Sequence, residues 1–146
     1  CNHDEEITQK AVQYATQIIK ELDYIGTLAV EFFVKSKNVI FNEYAPRPHN
    51  SGHFSIEGVD YSQYKNHILA ITGSKIYQPS LIKHCTMLNI LGQDMAYIDV
   101  AKQFDECHIH IYFKKDAKLN RKMGHITICS ENISKLSEIE EAFLKE

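Results

Sequence analysis

The sequence predicts an α+β fold: a helix, an antiparallel β-hairpin and a second helix, followed by a small mixed α/β domain. Three observations predict it. Apolar residues recur at helical spacing from Asp4 to Leu22, two β-rich runs flank Ser36-Lys37-Asn38, and three short apolar runs in the second half are separated by turn residues. A chain of 146 residues can bury one ordinary core or two small ones, and the expected domains are 1–73 and 74–146.

In the first helix, Ile7, Ala11, Tyr14, Ala15, Ile18, Ile19 and Leu22 share a stripe, acidic residues occupy the first turn, and Gly26 follows the end. Thr27 to Lys35 and Val39 to Ala45 are rich in aromatic and β-branched residues and read as the two arms of a hairpin. From Ser55 to Thr72 a loop containing Gly58 leads into a helix carrying Tyr64, Ile68 and Ile71, which stops at Gly73. Ser74 to Ser80 is a connection between domains. Beyond it, Cys85 to Leu91, Cys107 to Phe113 and Ile126 to Cys129 read as strands, with a helix near Met95 to Gln103 and a closing helix from Glu131 to Leu144. The equal spacing of Cys85, Cys107 and Cys129 has no matching flanks, so it is not a repeat.

Composition narrows the function classes. With 44% hydrophobic and 24% charged residues, the chain has no apolar run long enough for a membrane span. A net charge of −3 argues against a general nucleic-acid binder. Cys1, Cys85, Cys107 and Cys129 form no C-x-x-C pair and read as reduced structural thiols, and no targeting peptide is visible, so a cytoplasmic location is expected. The chain opens on Cys1 instead of Met, so a piece of a longer protein is expected.

The most informative residue is Glu31, set in the apolar run Leu28-Ala29-Val30-Glu31-Phe32-Phe33-Val34, where an uncompensated charge would be costly. A hairpin symmetric about Lys37 pairs residues whose numbers sum to 74, which opposes Glu31 to Glu43. Their β-carbons would then lie about 4.5 to 5.5 Å apart, close enough for one carboxyl to stay protonated or for a divalent cation to hold both ionised. A hard cation such as Mg²⁺ suits two carboxylates. A register one residue different would instead turn one of them to solvent.

Arg47 follows, stiffened between Pro46 and Pro48, and offers a guanidinium fork beside the acids. His49-Asn50-Ser51-Gly52-His53 then supplies small polar donors suited to an oxyanion, although histidines acting only as hydrogen-bonding fillers remain an alternative. Zinc on His49 and His53 would need a helical loop and a third ligand, and no partner stands at recognised spacing.

Glu31, Glu43 twelve residues later and Arg47 four further on resemble the metal-binding strand pair of ATP-grasp enzymes. The whole string from Asn42 to His53, Asn42-Glu43-Tyr44-Ala45-Pro46-Arg47-Pro48-His49-Asn50-Ser51-Gly52-His53, resembles the 5-(carboxyamino)imidazole ribonucleotide synthase family of purine biosynthesis. Met87 to Gly92 and Arg121-Lys122-Met123-Gly124-His125 fit the same family, so the resemblance covers essentially the whole chain. One departure from the commonest ATP-grasp pattern is Ala45, where many relatives place a metal-binding asparagine.

The resemblance implies that residues 1–73 are the carboxyl-terminal portion of an ATP-grasp domain and 74–146 the small carboxyl-terminal domain. It implies an ATP-dependent carbon–nitrogen ligase that carboxylates aminoimidazole ribonucleotide with bicarbonate through carboxyphosphate. The cofactors implied are ATP and Mg²⁺, with Mn²⁺ as a substitute, and the complete protein is expected to be a homodimer with no nucleic-acid or membrane partner. Glu31 and Glu43 would hold the metal, and Asn42 and Glu43 would face the nucleotide. Strand alternation puts those two side chains on opposite faces, a conflict the sequence leaves open. Arg47 and His49 would be catalytic and, with Asn50, would grip bicarbonate or carboxyphosphate. Lys115, Arg121 and Lys122 would bind the ribonucleotide 5′-phosphate; a solvated basic turn is the plain alternative. The glycine-rich flap and most of the adenine pocket would lie outside this chain, which is expected to be inactive alone. Another ATP-grasp carboxylate–amine ligase of purine metabolism and a non-catalytic assembly module are the competing readings.

Overall fold

The computed structural model describes residues 4–144. Cys1, grouped above with the structural thiols, lies outside them. The chain divides into two compact units, one formed by Cys1–Gly52 with Gln63–Tyr77 and the other by His53–Ser62 with Gln78–Glu146. No helix among the described residues is long and apolar enough to cross a membrane.

The first unit begins with helix α1, Glu5–Glu21. Asp4 caps it by accepting the Glu6 amide at 3.0 Å, which satisfies one of the donors a helix start leaves unpaired. Lys10 and Glu6 add an i,i+4 ion pair at 2.7 Å. Strands β1, Ala29–Lys35, and β2, Asn38–Ala45, form the antiparallel hairpin. Its turn is Ser36-Lys37, both residues at positive φ (47° and 67°), as the two-residue turns that match strand twist require. The hairpin is therefore not symmetric about Lys37. Near the turn Lys35 pairs with Asn38 and Val34 with Val39, and a bulge between Glu31 and Phe32 then shifts the register so that Glu31 meets Glu43. The expected partners are correct, but the route to them includes one extra residue, Asn42.

A 3-10 turn at Asn50–Gly52 and helix α3, Gln63–Ile71, complete this unit, with α2 reserved for Ser55–Gly58 of the other. The Thr27 amide donates to His67 Nδ1 at 3.0 Å and its hydroxyl to the Gln63 carbonyl at 2.9 Å, tying the hairpin's entry to α3. Burial here is thin. Among the described residues of the first unit only Ala45 is buried, and α1 buries none.

The second unit carries the core. Strands β3 (His84–Leu91), β4 (Cys107–Ile111) and β5 (Lys122–Ser130) form an antiparallel sheet in the order β3-β5-β4. Helices α4, Tyr97–Ala101, and α5, Ile133–Phe143, supply Val100, Ala101, Leu136, Ile139 and Phe143 to a cluster around Ile90, Ile126 and Ile128. Asn132 caps α5 by accepting the Ser134 amide at 2.9 Å. The third strand begins four residues earlier than the sequence indicates, and it is the central one. Gly124 hides it: a β-carbon there would collide with the His110 carbonyl, so the strand interior has to carry a glycine. β4 ends at Ile111, short of the expected Phe113, whose φ of 49° breaks the extended run. Likewise the helix expected over Met95 to Gln103 is confined to Tyr97–Ala101.

β5 is buried from Met123 to Ser130. Its second face is polar, carrying His125 opposite His110, Thr127 opposite Met87 and His108, and Cys129 opposite Cys85. The segment containing α2 lies on this face, with Gly58 against Cys85 and Glu57 reaching His110.

Ile126 is fully buried, whereas Ile40 is 46% exposed. Ile126→Ala is expected to cost about 2 to 5 kcal/mol in urea unfolding and Ile40→Ala less than about 1 kcal/mol. Equal losses would contradict this placement of the core.

Candidate functional site

The site is built on the bulged hairpin. In a regular strand Asn42 and Glu43 would point to opposite faces, but the bulge sets both against a single partner position. Asn42 Nδ2 accordingly donates to Glu31 Oε2 at 3.4 Å, on the face where Glu31 and Glu43 meet. This removes the conflict that alternation posed.

His49 joins them from the following loop, its Nε2 lying 3.7 Å from Glu31 Oε1 and 3.9 Å from Glu43 Oε1. One ligand atom from each of the three residues fits within a mutual spread of 4.8 Å, so the trio could hold a cation. Two facing carboxylates repel one another and gain from a positive charge between them, and the oxygen-rich donor set suits a hard divalent ion. The imidazole adds a choice. When Nδ1–H is donated to Ser51 Oγ, 2.9 Å away, Nε2 keeps a lone pair for a cation; in the other tautomer Nε2–H is a donor for an oxyanion.

The loop is held firmly. Gln63 makes reciprocal bonds with the His49 backbone, accepting its amide at 2.9 Å and donating to its carbonyl at 2.8 Å. Gly52 lies so close that a β-carbon would come within 2.6 Å of Gln63 Oε1, so a side chain here would push the clamp aside. Tyr24 donates its hydroxyl to the Pro46 carbonyl at 2.8 Å, fixing the start of the loop. His49 is thus well packed, 14% exposed, while Glu31 and Glu43 remain 43% and 59% exposed. Arg47 is exposed and directs Nη1 to the Pro48 carbonyl at 3.0 Å. Asn50 opens the 3-10 turn.

Lys115, Arg121 and Lys122 belong to the second unit, in and after the turn between β4 and β5. Arg121 Nη1 donates to the Asp116 carbonyl at 3.1 Å, and the Lys122 carbonyl accepts Lys114 Nζ at 2.6 Å, so the turn is braced from within. Lys115 and Lys122 are exposed.

A second titratable cluster lies on the polar face of β5. His110 and His125 stack with centroids 4.5 Å apart and planes 12° apart, and His53 lies 4.9 Å from His125. His110 Nε2 pairs with Glu57 Oε1 at 2.7 Å, and Tyr112 Oη bonds His125 Nδ1 at 2.8 Å. Burial, followed by the neighbouring His110 and His53 charges, lowers the His125 pKa to about 4. The alternation His108-Ile109-His110 and the isolated His125 were the only sequence signals. They become a cluster only through strand register.

Comparison with known proteins finds two family models that match successive parts of the chain. The ATP-grasp domain model matches residues 1–64, and the phosphoribosylaminoimidazole carboxylase C-terminal domain model matches residues 85–139. A Staphylococcus haemolyticus protein named N5-carboxyaminoimidazole ribonucleotide synthase is 47% identical over 141 residues, covering 94% of this chain and 37% of its own length. The crystal structure of N5-carboxyaminoimidazole synthetase from Staphylococcus aureus matches with a TM-score of 0.86 and 39% identity, over 100% of this chain and 40% of that one. The Aspergillus clavatus N5-carboxyaminoimidazole synthase, solved in complex with ADP and 5-aminoimidazole ribonucleotide, matches with a TM-score of 0.86 and 31% identity, over 99% of this chain and 41% of that one. The chain therefore spans well under half the length of the relatives it matches.

The folded state binds the His125 proton less readily than the unfolded chain, so stability should fall as pH drops from about 6.5 toward 4. Thermal melting across that range should show the slope, and His125→Phe, which keeps a ring but cannot titrate, should flatten it. An unchanged slope in the variant would assign the effect elsewhere.

Proposed function

The chain belongs to the N5-carboxyaminoimidazole ribonucleotide synthase family of ATP-grasp proteins, and on that premise we propose that it carries part of the active site for ATP-dependent carboxylation of aminoimidazole ribonucleotide. The observation that carries this reading is the meeting of Glu31, Glu43, Asn42 and His49 on one face of the bulged hairpin. The A. clavatus relative's complex with ADP and the ribonucleotide supports the choice of substrates.

In this reading the γ-phosphoryl group of ATP passes to bicarbonate, giving carboxyphosphate and ADP, and the ribonucleotide's exocyclic amine captures the carboxyl group or the CO₂ released, giving the carbamate with loss of inorganic phosphate and a proton. Glu31 and Glu43 hold a divalent ion, Mg²⁺ with Mn²⁺ as a substitute. When bound, that ion neutralises charge on the phosphate oxygens. Asn42 and Glu43 face the nucleotide together, which the bulge permits. Arg47 supplies a charged fork for bicarbonate or carboxyphosphate, with Asn50 beside it in the loop. His49 holds a proton at Nε2 or withdraws it according to the Ser51 bond, and so can donate to the same oxyanion or accept from it. Lys115, Arg121 and Lys122 bind the ribonucleotide 5′-phosphate as fixed positive charges. A cytoplasmic setting and a homodimer of the complete enzyme go with this reading; exposed Leu81 and Phe113 offer apolar surface for an interface.

The direct experiment is a chimaera in which this chain replaces the matching stretch of the S. haemolyticus relative. ATP hydrolysis dependent on both bicarbonate and aminoimidazole ribonucleotide is expected. Turnover with formate in place of bicarbonate would select a different carboxylate–amine ligase. In the same chimaera Glu43→Gln should lower kcat by at least about 100-fold through lost charge stabilisation, and full activity would remove the metal assignment. Arg121→Ala should raise KM for the ribonucleotide by about 10- to 100-fold with a smaller change in kcat; an unchanged KM would return the basic turn to an ordinary solvated surface.

A further inference from the structure

Cys85 and Cys129 are directly opposed across β3 and β5, and both are free thiols with their sulfurs 2.6 Å apart. The ladder geometry of the pair follows from the other side of β5. The Cys129 amide donates to the Glu106 carbonyl at 3.0 Å, so its backbone polar groups point toward β4. Toward β3, therefore, Cys85 and Cys129 form a non-hydrogen-bonded pair, the position where antiparallel α-carbons approach to about 4.5 Å and side chains lie closest. That spacing lies inside the range of about 4.4 to 6.8 Å that a disulfide spans.

We propose that Cys85 and Cys129 are a modification site: a disulfide oxidant of the glutathione disulfide class converts them to a cross-strand disulfide that staples β3 to β5. The inference does not rest on the ligase reading. Cys85 is half-buried and Cys129 buried, so the reagent meets Cys85 first. The Cys85 thiolate attacks one sulfur of glutathione disulfide, forming a mixed disulfide and releasing one glutathione thiolate, which takes up the Cys85 proton. Cys129 sulfur then attacks Cys85 sulfur, its proton passing to the second departing glutathione. Two protein thiols and one glutathione disulfide become one protein disulfide and two glutathiones, with the protein oxidised by two electrons.

Two neighbours sharpen the expectation. Gly58 packs so closely that a β-carbon would lie 2.6 Å from Cys85 Sγ, so the covering segment touches the thiol that reacts first. Cys107 is the internal control: it pairs with Ile128 and faces no other cysteine in the ladder, while burial raises the pKa of its thiol as it does that of Cys129, so that only the register separates the two.

The test is to incubate the folded chain with glutathione disulfide, alkylate the remaining thiols, digest and analyse by mass spectrometry. A peptide pair joined through Cys85 and Cys129, lighter by two hydrogens, with Cys107 alkylated after unfolding, is expected. The oxidised chain should melt at a higher temperature than the reduced one, and Cys85→Ser should abolish both the linked pair and the shift. Both thiols remaining alkylatable under conditions that oxidise the urea-unfolded chain would overturn the proposal. So would Cys107 appearing in the linkage as often as Cys85, since scrambling would mean that the pairing does not come from the native register.

Discussion

One extra residue in one strand sets the chemistry of the first unit. Without Asn42 as a bulge, the Ser36-Lys37 turn would oppose Glu31 to Asn42 and send Glu43 to the other side. With it, two carboxylates and an amide share one face, and the loop after β2 brings His49 to the same place. Two carboxylates that face each other across a ladder repel one another. A cation between them would offset that repulsion.

The surrounding structure stiffens this arrangement where it is least buried. The first unit has almost no core, so precision comes from specific hydrogen bonds: Gln63 on both backbone groups of His49, Tyr24 on Pro46, and Thr27 on Gln63 and His67. Short side-chain-to-backbone bonds can hold a loop geometry that apolar packing, being non-directional, cannot specify. The second unit works the other way. Its three-stranded sheet buries Ile90, Ile126, Ile128, Leu136 and Ile139 on one side, and its other side carries the imidazole stack and the thiol pair under the segment holding α2.

Much of this was legible from pattern. Helical periodicity located α1 and α5, and β-rich runs located the hairpin, β3 and the start of β4. Pairing Glu31 with Glu43 was legible too, although symmetry about Lys37 reached it only because the true turn centre and the bulge offset one another by one residue. What stayed hidden depended on register or close approach. The amino-terminal half of β5 was masked by Gly124, a residue poor in strand propensity but required by the His110 carbonyl. Glu57 lies 53 residues before His110, and it, His110 and His125 converge only once β4 and β5 pair and the segment from His53 to Ser62 covers them. The equal spacing of three cysteines carried no repeat, yet two of them are neighbours across the ladder.

We propose that the bulged hairpin and its loop bind a divalent cation. Titration of the isotopically labelled chain with Mn²⁺, followed by paramagnetic broadening of amide signals, tests it most directly. Broadening centred on Glu31, Glu43 and His49 is expected, and it should be lost in Glu43→Gln while the spectrum otherwise remains that of the folded chain. Broadening centred on other carboxylates, or undiminished in Glu43→Gln, would contradict it.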